Sequence, residues 1–319
     1  MEQRVTLIMD NLKSVEKFAK WSVDKRIQFQ IASYYSSKQV TFDEKGFKEV
    51  IDIIKKETNW LSYIRSSQLL QYSYAMIFSD DLQKEQKVKE ALQNQKVLRD
   101  AKFPNSIFNY IAALFLNEEN PQEHAQNARK LYDEMRKQHR FLTSTDDIAI
   151  AVLCTKDADS DSVTRATTMR KYYDELRKNK FSQGNELQAL SQILTFIDEN
   201  YIDHLVPYIL TIREKLQKQG IKIKPQLYVQ LGLLAILRIG ENQLEELIHI
   251  YQLLIKEKHF KWYKNEAFLI AVQQMLTTMD QQEVGLLSMV SIEIILQMQQ
   301  AVMMASIAAS TAAANSSNN

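Results

Sequence analysis

The feature that most constrains this chain is a turn that recurs about every forty residues. Short amphipathic segments each end on a bulky apolar residue. They are VIDIIKKETNW at Trp60, VKEALQNQKVLRDAKF at Phe103, ARKLYDEMRKQHRF at Phe141, MRKYYDELRKNKF at Phe181, LTIREKLQKQGI at Ile221 and IHIYQLLIKEKHF at Phe260. The intervals between these anchors are 43, 38, 40, 40 and 39 residues. Self-similarity at a fixed period in this range is the signature of stacked helical hairpins, because one hairpin alone cannot bury its apolar face.

Each unit repeats the same instructions. Apolar residues precede the anchor by nine and five positions, as Tyr172 and Leu176 precede Phe181, so both fall on one helical face. Lys and Arg crowd the last turn, where they suit the negative end of the helix dipole. Residues that start a helix follow the anchor: Ser62, Ser106, Thr145, Asn185, Pro225 and Asn265. The second helices, such as DDIAIAVLC and YVQLGLLAIL, are more apolar and are expected to form an inner layer. The charged first helices then face solvent, with the anchors wedged between units.

Composition agrees, since 6 Gly and 4 Pro among 319 residues are too few turn-formers for a sheet protein of this size. The expectation is an all-α solenoid of about six hairpins with a period near 40, spanning 46–280. N-terminal helices in 1–45 would cap one end and a Met-rich helix over 281–309 the other. The small polar stretch 310–319 is expected to be disordered.

Charge excludes little and motifs exclude more. The formal net charge of +1 gives no overall pull toward nucleic acid or anionic membrane. The single cysteine, Cys154, ends an apolar run and reads as a buried, inert thiol in a reducing compartment. The start MEQRVTLIMDNLK is unlike a signal peptide, and no stretch offers the roughly 20 apolar residues of a membrane span. A soluble cytoplasmic protein is expected. No dinucleotide fingerprint, phosphate loop, nucleophile elbow or zinc motif is present, so no catalytic residue, cofactor or metal is assigned.

The near-matches read as structure. DADSDS, Asp157–Ser162, opens like a calcium loop but has Ser162 at the glycine position and Thr168 at the glutamate position. Asp146 and Asp147 are adjacent acids in a first helical turn, as the dipole favours. His139 and His259 are expected to cap helix ends as positive or hydrogen-bonding groups.

Two surface features carry the interaction readings. Arg136, Arg177, Lys218 and Lys258 stand at equivalent ends of successive first helices and form a candidate basic ridge. KWYKNE places Trp262 and Tyr263 among lysines, a mixture common at binding surfaces. Six of the eleven Met residues lie after position 270, four of them in the segment expected to cap the array.

One unit, ARKLYDEMRKQHRF with TSTDDIAIAVL, resembles a pentatricopeptide repeat, and tetratricopeptide and HEAT-type arrays are looser likenesses. The order FLTSTDDIAIAVL, FSQGNELQALSQIL, GIKIKPQLYVQLGLLAIL, FKWYKNEAFLIAV resembles the bacterial family catalogued as domain of unknown function 4003, over residues 5–310. That resemblance implies a cytoplasmic protein of low-GC Gram-positive bacteria and no defined activity. The leading expectation is a non-enzymatic helical-repeat protein that binds a protein or peptide. Single-stranded RNA or another polyanion along a ridge in 205–264 is the alternative, and an uncharacterised enzyme is the third.

Overall fold

The computed structural model describes residues 1–19, 23–117, 119–156, 161–279, and, in a last helical segment, 301, 303–305 and 307–309. These residues are helical or connect helices, with no strand among them. The helices run in antiparallel pairs, each with an outer member followed by an inner one. The first pair is α1 (Glu2–Ala19) with α2 (Lys25–Ser37). The second is α3 (Glu44–Glu57) with α5 (Gln68–Phe78), separated by the one-turn α4 (Tyr63–Ser66). Then follow α6 (Lys84–Asp100) with α7 (Ile107–Ala113), and α8 (Pro121–Gln138) with α9 (Ile148–Leu153). The last three are α10 (Ser162–Lys178) with α11 (Asn185–Ile193), α12 (Leu205–Lys218) with α13 (Tyr228–Ile236), and α14 (Glu241–Leu254) with α15 (Lys264–Leu276).

Among the described residues seven pairs are present, six beyond residue 43 and a seventh formed by the N-terminal helices expected only to cap the array. That pair also meets the last one: α1 lies against α14 and α2 against α15. The inner helices α2, α5, α7, α9, α11, α13 and α15 touch in that order, α13 through its leading 3₁₀ turn Pro225–Leu227. The contact of α15 with α2 closes them into a ring. Inner helices are covered on both sides, which is why α9 and α13 are buried at every residue while outer helices keep one charged face.

The ring is joined across its ends without a covalent link. Phe29 stacks on Phe260 with centroids 4.6 Å apart and meets the edge of Tyr263 at 5.1 Å. Ser33 donates its hydroxyl to Gln273 Oε1 at 2.6 Å, and Gln274 donates Nε2 to the Ser33 carbonyl at 3.2 Å. Arg4 pairs with Glu246 at 2.7 Å on the outside.

The recurring anchor has a backbone cause. Lys102, Lys180 and Gly220 each take a left-handed conformation (φ 70°, 63° and 77°) just past an outer helix. The next amide then bonds back five residues: Phe103 N–H to Leu98 O, Phe181 N–H to Leu176 O and Ile221 N–H to Leu216 O. This is a Schellman end, in which the residue after the left-handed one packs on the helix it terminates. Phe103, Phe181 and Ile221 are buried accordingly, and Phe260 is buried at the end of the 3₁₀ turn Lys258–Phe260. An arginine of the next outer helix seals two of these ends. Arg129 lies over the Phe103 ring and donates to Lys102 O, and Arg213 lies over Phe181 and donates to Asn179 O.

Two anchors depart from the expected wedge. Phe141 is 97% and Trp60 77% exposed. At Phe141 no left-handed residue follows the helix, and His139 ends it instead, buried edge-on to Tyr173 at 4.6 Å. At Trp60 the extra turn α4 intervenes and buries Ile64 in the anchor's place.

Candidate functional site

The alternation of the pairs puts every outer-to-inner turn on one rim of the ring. Inner helices therefore begin at that rim, and their first turns surround its centre. The described residues of 301–309 are helical, and Ala301, Met304, Ile307 and Ala308 are buried within the same core as the inner helices. The segment lies against the starts of α2, α9, α11, α13 and α15 and leaves a cavity on either side.

The larger cavity, about 240 Å³, lies between Ala301, Ala305 and Ala309 of the segment and the starts of α9, α11 and α13. Its polar wall is Asp146, Asp147, Asn185, Glu186 and Gln226. The smaller, about 110 Å³, lies between Met303 and Ile307 and the starts of α2 and α15, with Arg26, Glu266 and Gln230 on its wall. Spacing of four puts the three alanines on one face of the segment and Met303 with Ile307 on another. The small-residue face is what leaves the larger gap.

Asp147 is the least expected group here. It is 6% exposed. One carboxylate oxygen accepts the Ser144 amide at 2.8 Å, closing a capping box with Ser144. The other accepts Gln192 Nε2 at 2.7 Å and Gln188 Nε2 at 3.4 Å, from the neighbouring pair. Burial, reinforced by the adjacent Asp146 charge, pushes its titration up to about 7. Such a carboxyl exchanges a proton near neutrality at a cavity wall. Both its oxygens are already held, so its present work is to join two pairs.

The donated amides leave their carbonyl ends over. Gln188, Gln192 and Gln230 are each buried with Oε1 lacking a hydrogen-bond partner among the described residues, and Gln230 lines the smaller cavity. Beside it Arg26 is held by Asp24 through two bonds, at 2.6 and 3.0 Å. Burial raises the Glu266 carboxyl. Sequence reasoning missed this polar lining, because the second helices were read as broadly apolar. The legible signal was a buried-helix pattern that keeps carrying Gln or Asn: Gln30, Gln71, Asn109, Gln188, Gln230, Gln273.

The other candidates fall elsewhere. Arg136, Arg177 and Lys218 occupy the last turns of α8, α10 and α12, and Lys258 the 3₁₀ turn after α14. All four thus sit toward the rim where outer helices end. Lys218 is held by Glu214 at 2.8 Å. Trp262 is 84% exposed with Lys261 over its ring, whereas Tyr263 packs against Phe29.

His139 is the C-cap of α8, its amide bonding to Met135 O, and of the two kinds of cap expected, positive or hydrogen-bonding, burial disfavours the positive one. Burial drives His139 down to about 4 and lowers His259 as well, so burial opposes a cationic cap at both positions. Burial pushes the Cys154 thiol up to about 11, and Asp161 caps α10 through the Val163 amide. The calcium-like stretch otherwise lies outside the described residues. Among the described residues no three His, Cys, Asp or Glu gather as metal ligands. None of their helices is long and apolar enough to cross a membrane.

Comparison with known proteins gives a family without an activity. A family model described as "Protein of unknown function (DUF4003)" matches residues 11–301. The "Uncharacterized protein YeaA" of Bacillus subtilis (strain 168) is 29% identical over 313 residues, which cover 93% of this chain and 91% of that protein. No solved structure matches. With most of its length matched, the chain belongs to the DUF4003 family of proteins of unknown function.

Proposed function

We propose that the protein is a receptor for a helical peptide, bound in the centre of the ring. The observation that carries this reading is the seat of the described residues of 301–309, which are helical, small and apolar and lie against inner helices of several pairs. The segment fills the chamber incompletely, since the alanine face leaves about 240 Å³ open. A partner helix with larger side chains at those three positions gains apolar contact that the chain's own segment lacks. The chain's own C-terminal helix thus acts as a displaceable occupant, and a protein presenting a better-fitting helix replaces it.

The test uses a chain ending at residue 300 and synthetic peptides. The peptide 301–319 is expected to bind saturably, and a version with Leu at 301, 305 and 309 to bind more tightly. In the full chain, Met304→Asp is expected to release the segment and allow the same peptides in. Absence of binding by a shortened chain that still unfolds cooperatively would overturn the reading.

A further inference from the structure

The overall charge of +1 conceals two oppositely charged ends. The described outer-to-inner connections, 23–24, 58–67, 101–106, 139–147, 179–184, 219–227 and 255–263, hold nine Lys or Arg against four Asp or Glu. The described inner-to-outer connections, 38–43, 79–83, 114–117, 119–120, 154–156, 161, 194–204 and 237–240, hold three Lys or Arg against eight Asp or Glu. One rim therefore carries a net five positive charges and the other a net five negative.

Neighbouring turns of the basic rim stand side by side. One groove collects Lys180 from the turn after α10 with Lys222 and Lys224 from the turn after α12, together with Arg213. No carboxylate lines it or pairs with these four cations among the described residues. Helix-end electrostatics explains lysines in the last turn of an outer helix, but Lys222 and Lys224 precede an inner helix, where the dipole favours acids. Their place is unfavourable to the fold and favourable to an anion.

The same rim carries most of the strongly exposed apolar side chains of the described turns, while the acidic rim carries Leu82 and Val40. Trp60 is 77%, Leu61 71%, Phe141 97% and Trp262 84% exposed. They belong to the second, fourth and seventh pairs, and the groove to the fifth and sixth, so the features surround the ring. Points distributed round a rim match a flat target. They do not follow one line, as successive bases of a single strand require. Exposed Trp and Leu tips among lysines are the composition of a surface that settles into a lipid headgroup layer, with the opposite charge facing away.

We propose that this rim docks the protein on an anionic membrane surface, with lipid phosphates in the Lys180–Arg213–Lys222–Lys224 groove and Trp60, Leu61, Phe141 and Trp262 entering the headgroup layer. The contact is peripheral. It is separate from the central chamber, whose occupant it leaves unchanged.

The experiment is co-sedimentation of the full chain with vesicles of phosphatidylcholine alone or with phosphatidylglycerol, at low and high salt. Binding to anionic vesicles, little to neutral ones, and release by salt are expected, with a blue shift of tryptophan emission. Lys222→Gln with Lys224→Gln is expected to weaken partition about thirty-fold. Lys45→Gln with Lys48→Gln, exposed at the start of α3 near the acidic rim, remove equal charge and should leave partition unchanged. Trp60→Ala with Trp262→Ala should abolish the blue shift and weaken binding. The proposal is overturned by failure to bind anionic vesicles at low salt, or by equal losses in the two lysine pairs. Tighter binding to poly(U) than to vesicles, indifferent to the tryptophans, would instead assign the groove to RNA.

Discussion

Two kinds of junction hold the ring, and they differ in what makes them form. Consecutive pairs are linked by chain, and the link is reinforced locally: Arg129 seals the end of α6, Arg213 that of α10, and Asp147 ties α9 to α11. The seam between the first and seventh pairs has no covalent help, since Ser33 and Gln273 are 240 residues apart. Closing a loop of that length costs entropy that only side chains at the seam can offset. Consecutive junctions therefore form from local instructions, whereas the ring and its chamber depend on a few residues that no periodicity marks.

The largest effect should come from removing the aromatic stack at the seam. Phe29→Ala is expected to cost about 3–5 kcal/mol, as for a buried Phe, and to speed amide exchange in both α2 and α15. Phe103→Ala, at a consecutive junction, should cost a similar amount without exposing the seam. Denaturant unfolding with exchange mass spectrometry separates the two, and equal exchange patterns would erase the distinction. Next in size, Gln273→Leu strands the Ser33 hydroxyl and is expected to cost about 1–3 kcal/mol.

At a consecutive junction, pH is the sharper probe. The Asp147 carboxyl is raised from 3.8 to about 7, so the folded chain holds a proton that the unfolded chain releases. Its stabilisation is complete below about 3.8 and is lost as pH rises through about 7. The lowered His139, about 4 against 6.5, works the other way: its contribution is present above 6.5 and lost as pH falls through about 4. The two oppose each other in the native chain. Asp147→Asn should leave stability rising between pH 4 and 6.5, and His139→Gln should leave it falling between about 4 and 7. Matching melting curves across pH for both variants would contradict these assignments. The smallest effect belongs to the partly exposed Arg4–Glu246 pair at the seam, where Arg4→Ala is expected to cost about 0.2–1 kcal/mol and to lose even that at high salt.

What the sequence made legible is what local physics sets. The helical pairs and the inner position of the second helices follow from spacing, and the anchors at Phe103, Phe181 and Ile221 from the Schellman geometry behind them. Phe141 and Trp60 look the same in sequence and lie outside, because another side chain, His139 or Ile64, takes the buried place. Closure was not legible, since Phe29, Ser33 and Gln273 sit in ordinary helical patterns and acquire meaning only when distant pairs meet. Asp147 read as one of two first-turn acids. Its burial comes from Gln188 and Gln192, some forty residues on. The charged rims were hidden for a related reason: opposite connections alternate along the chain and cancel in any sum.

The ring itself is the claim on which the chamber and both rims rest. Pulsed electron resonance between spin labels at Lys13→Cys on α1 and Gln252→Cys on α14 tests it directly, Cys154 being buried and unreactive. Adjacent helices lie about 8–10 Å apart, so with two label arms the closed ring predicts a narrow distance distribution centred at about 20–30 Å. An open array of seven pairs would separate the same labels by about 60 Å, and a distribution centred there would contradict the account.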